Sequence, residues 1–574
     1  MQTSQPAVTQ RCRHLIRNGS CRPLIKGVAS PTRPSSLCPT GESPLMVHGP
    51  AARGGWTDIV VGAGSSGCVL TARLAEIPDR RVLLLEAGPD YAHPSLLPGE
   101  LRHGNAPALF SHDWGWSVVD DHSRLVPLPR GKLVGGCSAV NTCIALRPEP
   151  EDFTSWARAG CSGWEWDHVL GHFRRLETDL DYGSGAFASH HGDSGPLPVR
   201  RPQEQELTAV SDAFLRACLA QGYPFVADLN GPGAYGVGML PLAVLDGRRI
   251  SAAEAYLRPI RSQPNVRIQP NTLVSRVLVR HGRAVGVEVG NGADVATFHA
   301  DRVHLCAGAI GTPTLLIRSG IGPEDHLQAL GVPVVQPLAG IGEGLQDHSQ
   351  CPVVLLAKAG VIDPDGPCAQ VLVRTGSGDH GPADLQFGVL NHVDLPAYSP
   401  ELASLAGGFE AFLVCVMLQQ PQSRGRVRCR STNPDDAPQI EYSYVGHRAD
   451  LDRYRKALRR LWELVQDPEF AAVSNGVIGL DTATVRSDDD LDMYIRRRVQ
   501  TAHHPAGTAR MGVATDPASA LDPRCQVLGV EALHVFDASI MPSIVQANTN
   551  LTCLMIGEMG AEILRQSAEN PGAP

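Results

Sequence analysis

No apolar run in the 574 residues approaches the ~18 needed to cross a membrane as a helix. Basic residues do not outnumber acidic ones: 50 Lys and Arg against 59 Asp and Glu leave a net charge of −9. A nucleic-acid binder normally carries a basic stripe, so that class is excluded. The 15 cysteines, from Cys12 to Cys553, include no CxxC pair, and several (Cys68, Cys306, Cys415, Cys553) sit inside apolar segments. That is how reduced cysteines serve as small hydrophobes, so neither a disulfide scaffold nor a zinc ribbon is expected. The chain also lacks HExxH, internal repeats and a secretory apolar segment. Glycine (59) and proline (45) together reach about 18% against a typical ~12%, which is loop-rich without being low-complexity.

Residues 1–56 differ from everything after them. Up to Arg53 they hold seven Lys and Arg and one acid, Glu42, among Pro and Ser, without hydrophobic periodicity. The composition is that of an organellar transit peptide, but Pro23, Pro31 and Pro34 interrupt an amphipathic helix. The expectation is a disordered extension, or an upstream start with Met46 as the true beginning, and a cytoplasmic protein. Organellar targeting by 1–56 is the alternative.

Order is expected from Asp58. Ile59-Val60-Val61 reads as a buried strand, 68–74 has helical spacing, and 81–85 is a second strand, together one βαβ unit. The turn between is Gly62-Ala63-Gly64-Ser65-Ser66-Gly67, or GxGxxG. In such a turn the first glycine permits the bend, the second lets backbone approach a pyrophosphate, and the third lets helix pack on strand. The phosphate then sits on the helix N-terminus. Glu86 ends the second strand, 24 residues beyond Gly62, where an acid binds ribose hydroxyls and repels a 2′-phosphate. A dinucleotide site that disfavours NADP follows. Downstream, Ser251-x-x-Glu254 predicts a capped helix, 266–268, 275–279 and 285–289 predict strands, 448–465 an amphipathic helix, and Ser487-x-x-Asp490 another helix start. No linker divides the ordered part. His191-Gly192-Asp193-Ser194-Gly195-Pro196 imitates a serine-protease nucleophile segment, but the βαβ opening contradicts that fold. No carboxylate motif accompanies the pairs His190-His191 and His503-His504, so no metal is expected.

Further motifs carry a resemblance. The glycine-rich segment from Arg130 to Asn141, the segment from Gly308 to Gly322, Ile341-Gly342-Glu343-Gly344-Leu345-Gln346-Asp347-His348, His504-Pro505-Ala506-Gly507-Thr508, and Asp537 to Pro542 running on to Asn548-Thr549-Asn550 follow one another as in the glucose-methanol-choline (GMC) oxidoreductases. The chain resembles that FAD-dependent family from about Asp58 to Ile563. In the third segment Glu343-Gly344 replaces the x-Asn of the family's usual VGxNLQDH.

The resemblance implies an α/β fold: a doubly wound, Rossmann-like FAD-binding domain (57–350 and 500–566) interleaved with a substrate domain of antiparallel sheet and helices (351–499). It implies FAD held by Gly62, Gly64, Ser65, Ser66, Gly67, Glu86, Val134, Asn141, Val274, Asp537, Ala538 and Thr549. Val140 stands where some members carry the histidine that binds FAD covalently, so dissociable FAD is expected. His504 matches the active-site histidine and Asn548 its partner. The reaction implied is oxidation of a small-molecule alcohol, with His504 as base, Asn548 holding the oxygen, and hydride passing to flavin N5. Oxygen or a quinone would reoxidise the flavin. The alternative within the family is a flavin-containing lyase that cleaves cyanohydrins. The residues agree with the first reading: a histidine is suited to take a proton near neutrality, and an amide can hold the oxygen without competing for it. The segment 351–499 carries no motif that names the substrate.

Overall fold

The computed structural model describes residues 55–291, 295–378 and 383–569. The extension expected over 1–56 lies, up to residue 54, outside the described residues. Strand β1 (Trp56–Val61) leads through the glycine turn into helix α1 (Ser65–Ala75) and strand β2 (Val82–Leu85). Strands β3 (Val266–Gln269), β4 (Val274–Arg280), β5 (Arg283–Val289) and β6 (Ala296–Leu305) follow, then helix α2 (Gly308–Arg318), strand β7 (Leu533–Val535) and helix α3 (Thr549–Glu569).

The parallel order is β3-β2-β1-β6-β7, and β4 and β5 fold back antiparallel on the first half of β6. A parallel sheet is covered on both faces, which is why β2 is an unbroken Val-Leu-Leu-Leu, all buried. α1 and α3 pack together over it, with Arg73 of α1 paired to the buried Glu558 of α3 at 2.8 Å.

A second, wholly antiparallel sheet runs in the order Ser474–Ile478, Ser349–Ala357, Ala411–Leu418, Leu385–Leu390, Val371–Thr375, Gly236–Met239, with Gln500–Thr501 beside Ser349. The helix Arg448–Val465 lies on it, with Leu451, Tyr454, Leu458 and Leu461 turned inward at helical spacing. The mixed α/β architecture expected from the motifs is therefore observed. The sheets are not filled by contiguous stretches of chain, since Gly236–Met239 joins the second sheet from within the first stretch.

Two local expectations fare differently. Ser487 caps Asp488–Arg498, its hydroxyl accepting from Asp490 N. Ser251 likewise accepts from Glu254 N, but Glu254 turns to Arg248, and only a π turn (Ala253–Leu257) and a 3-10 turn follow. Pro259 cannot donate an amide hydrogen, so no α-helix propagates there.

Candidate active site

The glycine turn is built as its spacing predicts. An added Cβ at Gly67 would collide with the Gly62 carbonyl, so α1 packs against β1 only because Gly67 has none. At Gly64 an added Cβ would meet nothing nearer than the Cys306 oxygen at 4.0 Å. The middle glycine thus keeps open space, as a cradle for a pyrophosphate requires. Gly136 approaches from the other side, where its own Cβ would lie 2.6 Å from Gly64 Cα. Val134, buried beside it, donates to the Pro89 carbonyl.

Glu86 accepts from Ala63 N and Gly88 N, both at 2.9 Å, and burial pushes its carboxyl up to about 7. Its backbone oxygen takes Thr272 N, which brings buried Val274 to the end of β2. Ser65 donates to Asn550 at 2.7 Å, so the first turns of α1 (Ser65, Ser66) and α3 (Thr549) converge. Asn141 closes the glycine-rich turn that contains Gly136, its side-chain oxygen taking Cys143 N at 2.9 Å and an Arg249 guanidinium at 3.3 Å. Gly62, Gly64, Glu86 and the two helix starts fit a dinucleotide such as FAD.

The carboxylate of Asp537 is engaged within the protein. Its oxygens already accept from Gly308 N, Thr312 Oγ1, Ser539 N and Ser539 Oγ. It braces the start of α2 against the turn Ala538–Ile540, which leaves backbone rather than the acid to approach a ligand.

His504 lies half-buried between two partners. Its Nδ1 is 3.0 Å from His348 Nδ1, and its Nε2 is 3.2 Å from the Asn548 amide nitrogen. Its backbone N–H donates to Asp347, whose other oxygen takes Thr501 Oγ1 at 2.5 Å. Burial first, then His348, His503 and Arg130, hold the His504 imidazole well below its ordinary pKa. Burial pushes His348 down to about 4 and raises Asp347 to about 7. His503 takes a left-handed φ of +68, and its backbone oxygen accepts from Arg130.

The motifs interlock around this pair. Gln346 exchanges backbone hydrogen bonds with Ala506 and, through its side chain, takes Ile544 N. Pro313 cannot donate to the Ala309 carbonyl within α2, and Thr508 Oγ1 does so instead, at 2.6 Å. Gly344, where the family commonly has asparagine, sits at φ +70, a conformation both residues tolerate. The sequence alone assigns Asp347 and His348 no role. Both are placed by the pairing of Ser349 with Thr501, a contact across about 150 residues.

The protease-like segment is explained as well. His191 is buried between Glu177, Asp179 and Asp228, each at 2.9 Å, and a Cβ on Gly192 would strike the Arg174 carbonyl. It is a packed turn and an ion cluster, not a nucleophile.

Known proteins resemble this chain over most of its length. The GMC oxidoreductase family matches residues 56–350 with its N-terminal part and 421–557 with its C-terminal part. Mouse mitochondrial choline dehydrogenase is 36% identical over 544 residues, 89% of each chain. The oxygen-dependent choline dehydrogenase of Brucella melitensis biotype 1 is 32% identical, over 89% of this chain and 97% of its own. Among solved structures, pyridoxine 4-oxidase from Mesorbium loti superposes with a TM-score of 0.80 at 30% identity, over 89% of this chain and 99% of that one. With the glycine cradle, the ordered motifs and these matches together, the chain belongs to the GMC oxidoreductases and is an FAD-dependent enzyme that acts on CH–OH donors.

Proposed function

We propose that the protein oxidises a small alcohol, with His504 as the general base and Asn548 as the group that holds the hydroxyl oxygen. The carrying observation is the neutral, half-buried imidazole of His504 with Nε2 facing the Asn548 amide at 3.2 Å. A base must be uncharged to take a proton, and the positive neighbour Arg130 opposes charging it. As the hydroxyl enters, it replaces Asn548 as donor to Nε2, and the released amide N–H turns to the substrate oxygen. The proton taken at Nε2 leaves an imidazolium whose Nδ1–H rests on His348. FAD, when bound, would supply the hydride acceptor. Gly62, Gly64, Ser65, Ser66 and Gly67 would hold its pyrophosphate, and Glu86 and Val274 its adenosine. Val134, Asn141, the Asp537-Ala538 backbone and Thr549 would face the flavin side.

The division into an FAD domain (57–350 and 500–566) and a substrate domain (351–499) belongs to the same proposal. Choline, in the names of the mouse and Brucella relatives, is the first substrate to try, and pyridoxine the second. Oxygen and a quinone are the acceptors to compare. No helix among the described residues is long and apolar enough to cross a membrane.

The test is anaerobic mixing of the holoenzyme with a panel of alcohols. Bleaching of the flavin band by at least one alcohol is expected, followed by recovery with air or quinone. An unbleached flavin alongside cyanohydrin cleavage would replace this reading with the lyase.

A further inference from the structure

Two groups of side chains outside the reacting pair have donor atoms close enough to share a metal ion, among the described residues. Charge separates them. In the buried group, the Glu177, Asp179 and Asp228 carboxylates already meet three cations: Arg147, Arg201 and His191, whose imidazole hydrogen-bonds to all three acids. A divalent ion there would leave uncompensated buried positive charge, so that group is closed.

The second group is open. His168 and His172 are one turn apart on the helix Trp166–Leu176, which sets both rings on one face. That face meets α3. One Glu562 oxygen lies 3.4 Å from His168 Nε2 and the other 3.3 Å from His172 Nε2. One donor atom from each of the three residues lies within 4.8 Å of the other two, close enough for a single ion to be shared. Glu562 has no arginine or lysine partner among the described residues, and apart from the imidazoles it takes only the Gln566 amide at 3.0 Å. Glu558, one turn earlier, is by contrast neutralised by Arg73 and Arg175 and takes the Tyr256 hydroxyl. One unbalanced negative charge therefore faces two imidazoles. The exposure of His168 leaves a fourth position to water.

We propose that His168, His172 and Glu562 form a divalent metal site of the kind zinc fills, pinning the helix Trp166–Leu176 to α3. Two imidazoles and one carboxylate suit zinc, whereas calcium and magnesium prefer all-oxygen sites. His172 Nδ1 is buried without an acceptor, so the site lacks an outer hydrogen bond and binds about 10- to 100-fold more weakly than one that has it. The expectation of no metal rested on adjacent histidine pairs. The i, i+4 pair and its carboxylate become neighbours only when α3 docks.

The experiment titrates ZnCl2 into EDTA-treated, FAD-loaded full chain, read by calorimetry and by thermal unfolding. One saturable site is expected, with a Tm that rises with free zinc by mass action. His168→Ala, at an exposed position, should abolish both signals while flavin content and the zinc-free Tm stay unchanged. Glu562→Gln should weaken binding by about tenfold or more. CoCl2 in place of zinc should give the visible bands of a tetrahedral ion in the wild type and none in His168→Ala. Absence of saturable binding in the wild type would overturn the proposal. So would zinc binding of equal strength in His168→Ala, which would place the ion elsewhere.

Discussion

The Nδ1 atoms of His348 and His504 lie 3.0 Å apart with their rings nearly perpendicular, so only one of the two can carry a proton there. The Asn548 amide nitrogen can only donate, so Nε2 of His504 accepts and the His504 proton sits on Nδ1. His348 in turn carries its proton on Nε2. The His504 imidazole is thereby held in one tautomer, with its free lone pair on the Asn548 side.

Replacing His504 with alanine should lower turnover by about 10²–10⁴-fold, the usual contribution of a positioned general base. FAD should remain bound, because the glycine turn and α1 are untouched. Steady-state rates and the flavin-to-protein absorbance ratio check this together. Wild-type turnover in a loaded variant would remove His504 from the reaction.

The pH dependence has a definite sign. His348 is pushed down to about 4, His503 to about 3, and His504 falls well below its ordinary value, burial being the first cause in each. The native state holds all three neutral, whereas the unfolded chain protonates them near ~6.5. Their contribution to stability is therefore complete above about pH 6.5 and is lost as pH falls through that value towards 4. The acid limb of kcat/KM should likewise lie below about 6.5. A limb above 7 would contradict a neutral base in the resting enzyme.

Two glycines of one turn should fail differently. Gly64→Val has room for its Cβ, so the apoprotein should keep a near-normal Tm yet remain colourless when FAD is added. Gly67→Val drives its Cβ into the Gly62 carbonyl and should lower Tm even without cofactor. Circular dichroism melting and FAD titration separate the two. Full loading of Gly64→Val would move the pyrophosphate elsewhere.

His191 makes a prediction of opposite sign. Burial opposes its charge, but hydrogen bonds to Asp179, Asp228 and Glu177 win and push its pKa up to about 10. A raised value means stability is complete below about pH 6.5 and is lost as pH rises towards 10. His191→Ala leaves three carboxylates with two guanidiniums and should cost about 3–5 kcal/mol at pH 7. Urea unfolding of the variant and wild type at pH 7 and 9.5 measures this, and the gap should narrow at the higher pH. A constant gap would mean His191 is neutral.

The first βαβ unit could be read directly because its signals are local: a glycine turn, an acid at fixed distance, and helical spacing. The helix Arg448–Val465 was equally plain because one face is charged and the other apolar. The second sheet was not. Strands such as Ala411–Leu418 are buried nearly throughout and show no alternation, so nothing in them distinguishes a strand from a buried helix. His504 and Asn548 were legible only through their motifs. The roles of His348 and Asp347 depend on cross-strand pairing, and that of His191 on acids from two other segments, Glu177–Asp179 and Asp228. Neither leaves a local pattern.

The hydrogen bond from Ser65 to Asn550 joins positions 485 residues apart. At about 5–20 residues per second, a ribosome takes roughly half a minute to a minute and a half to travel between them. Throughout that interval α1 exists without α3, and its apolar face must be shielded by a chaperone or by provisional contacts. If Ser65 and Thr549 flank the dinucleotide as proposed, its capture waits until both helix starts have been synthesised.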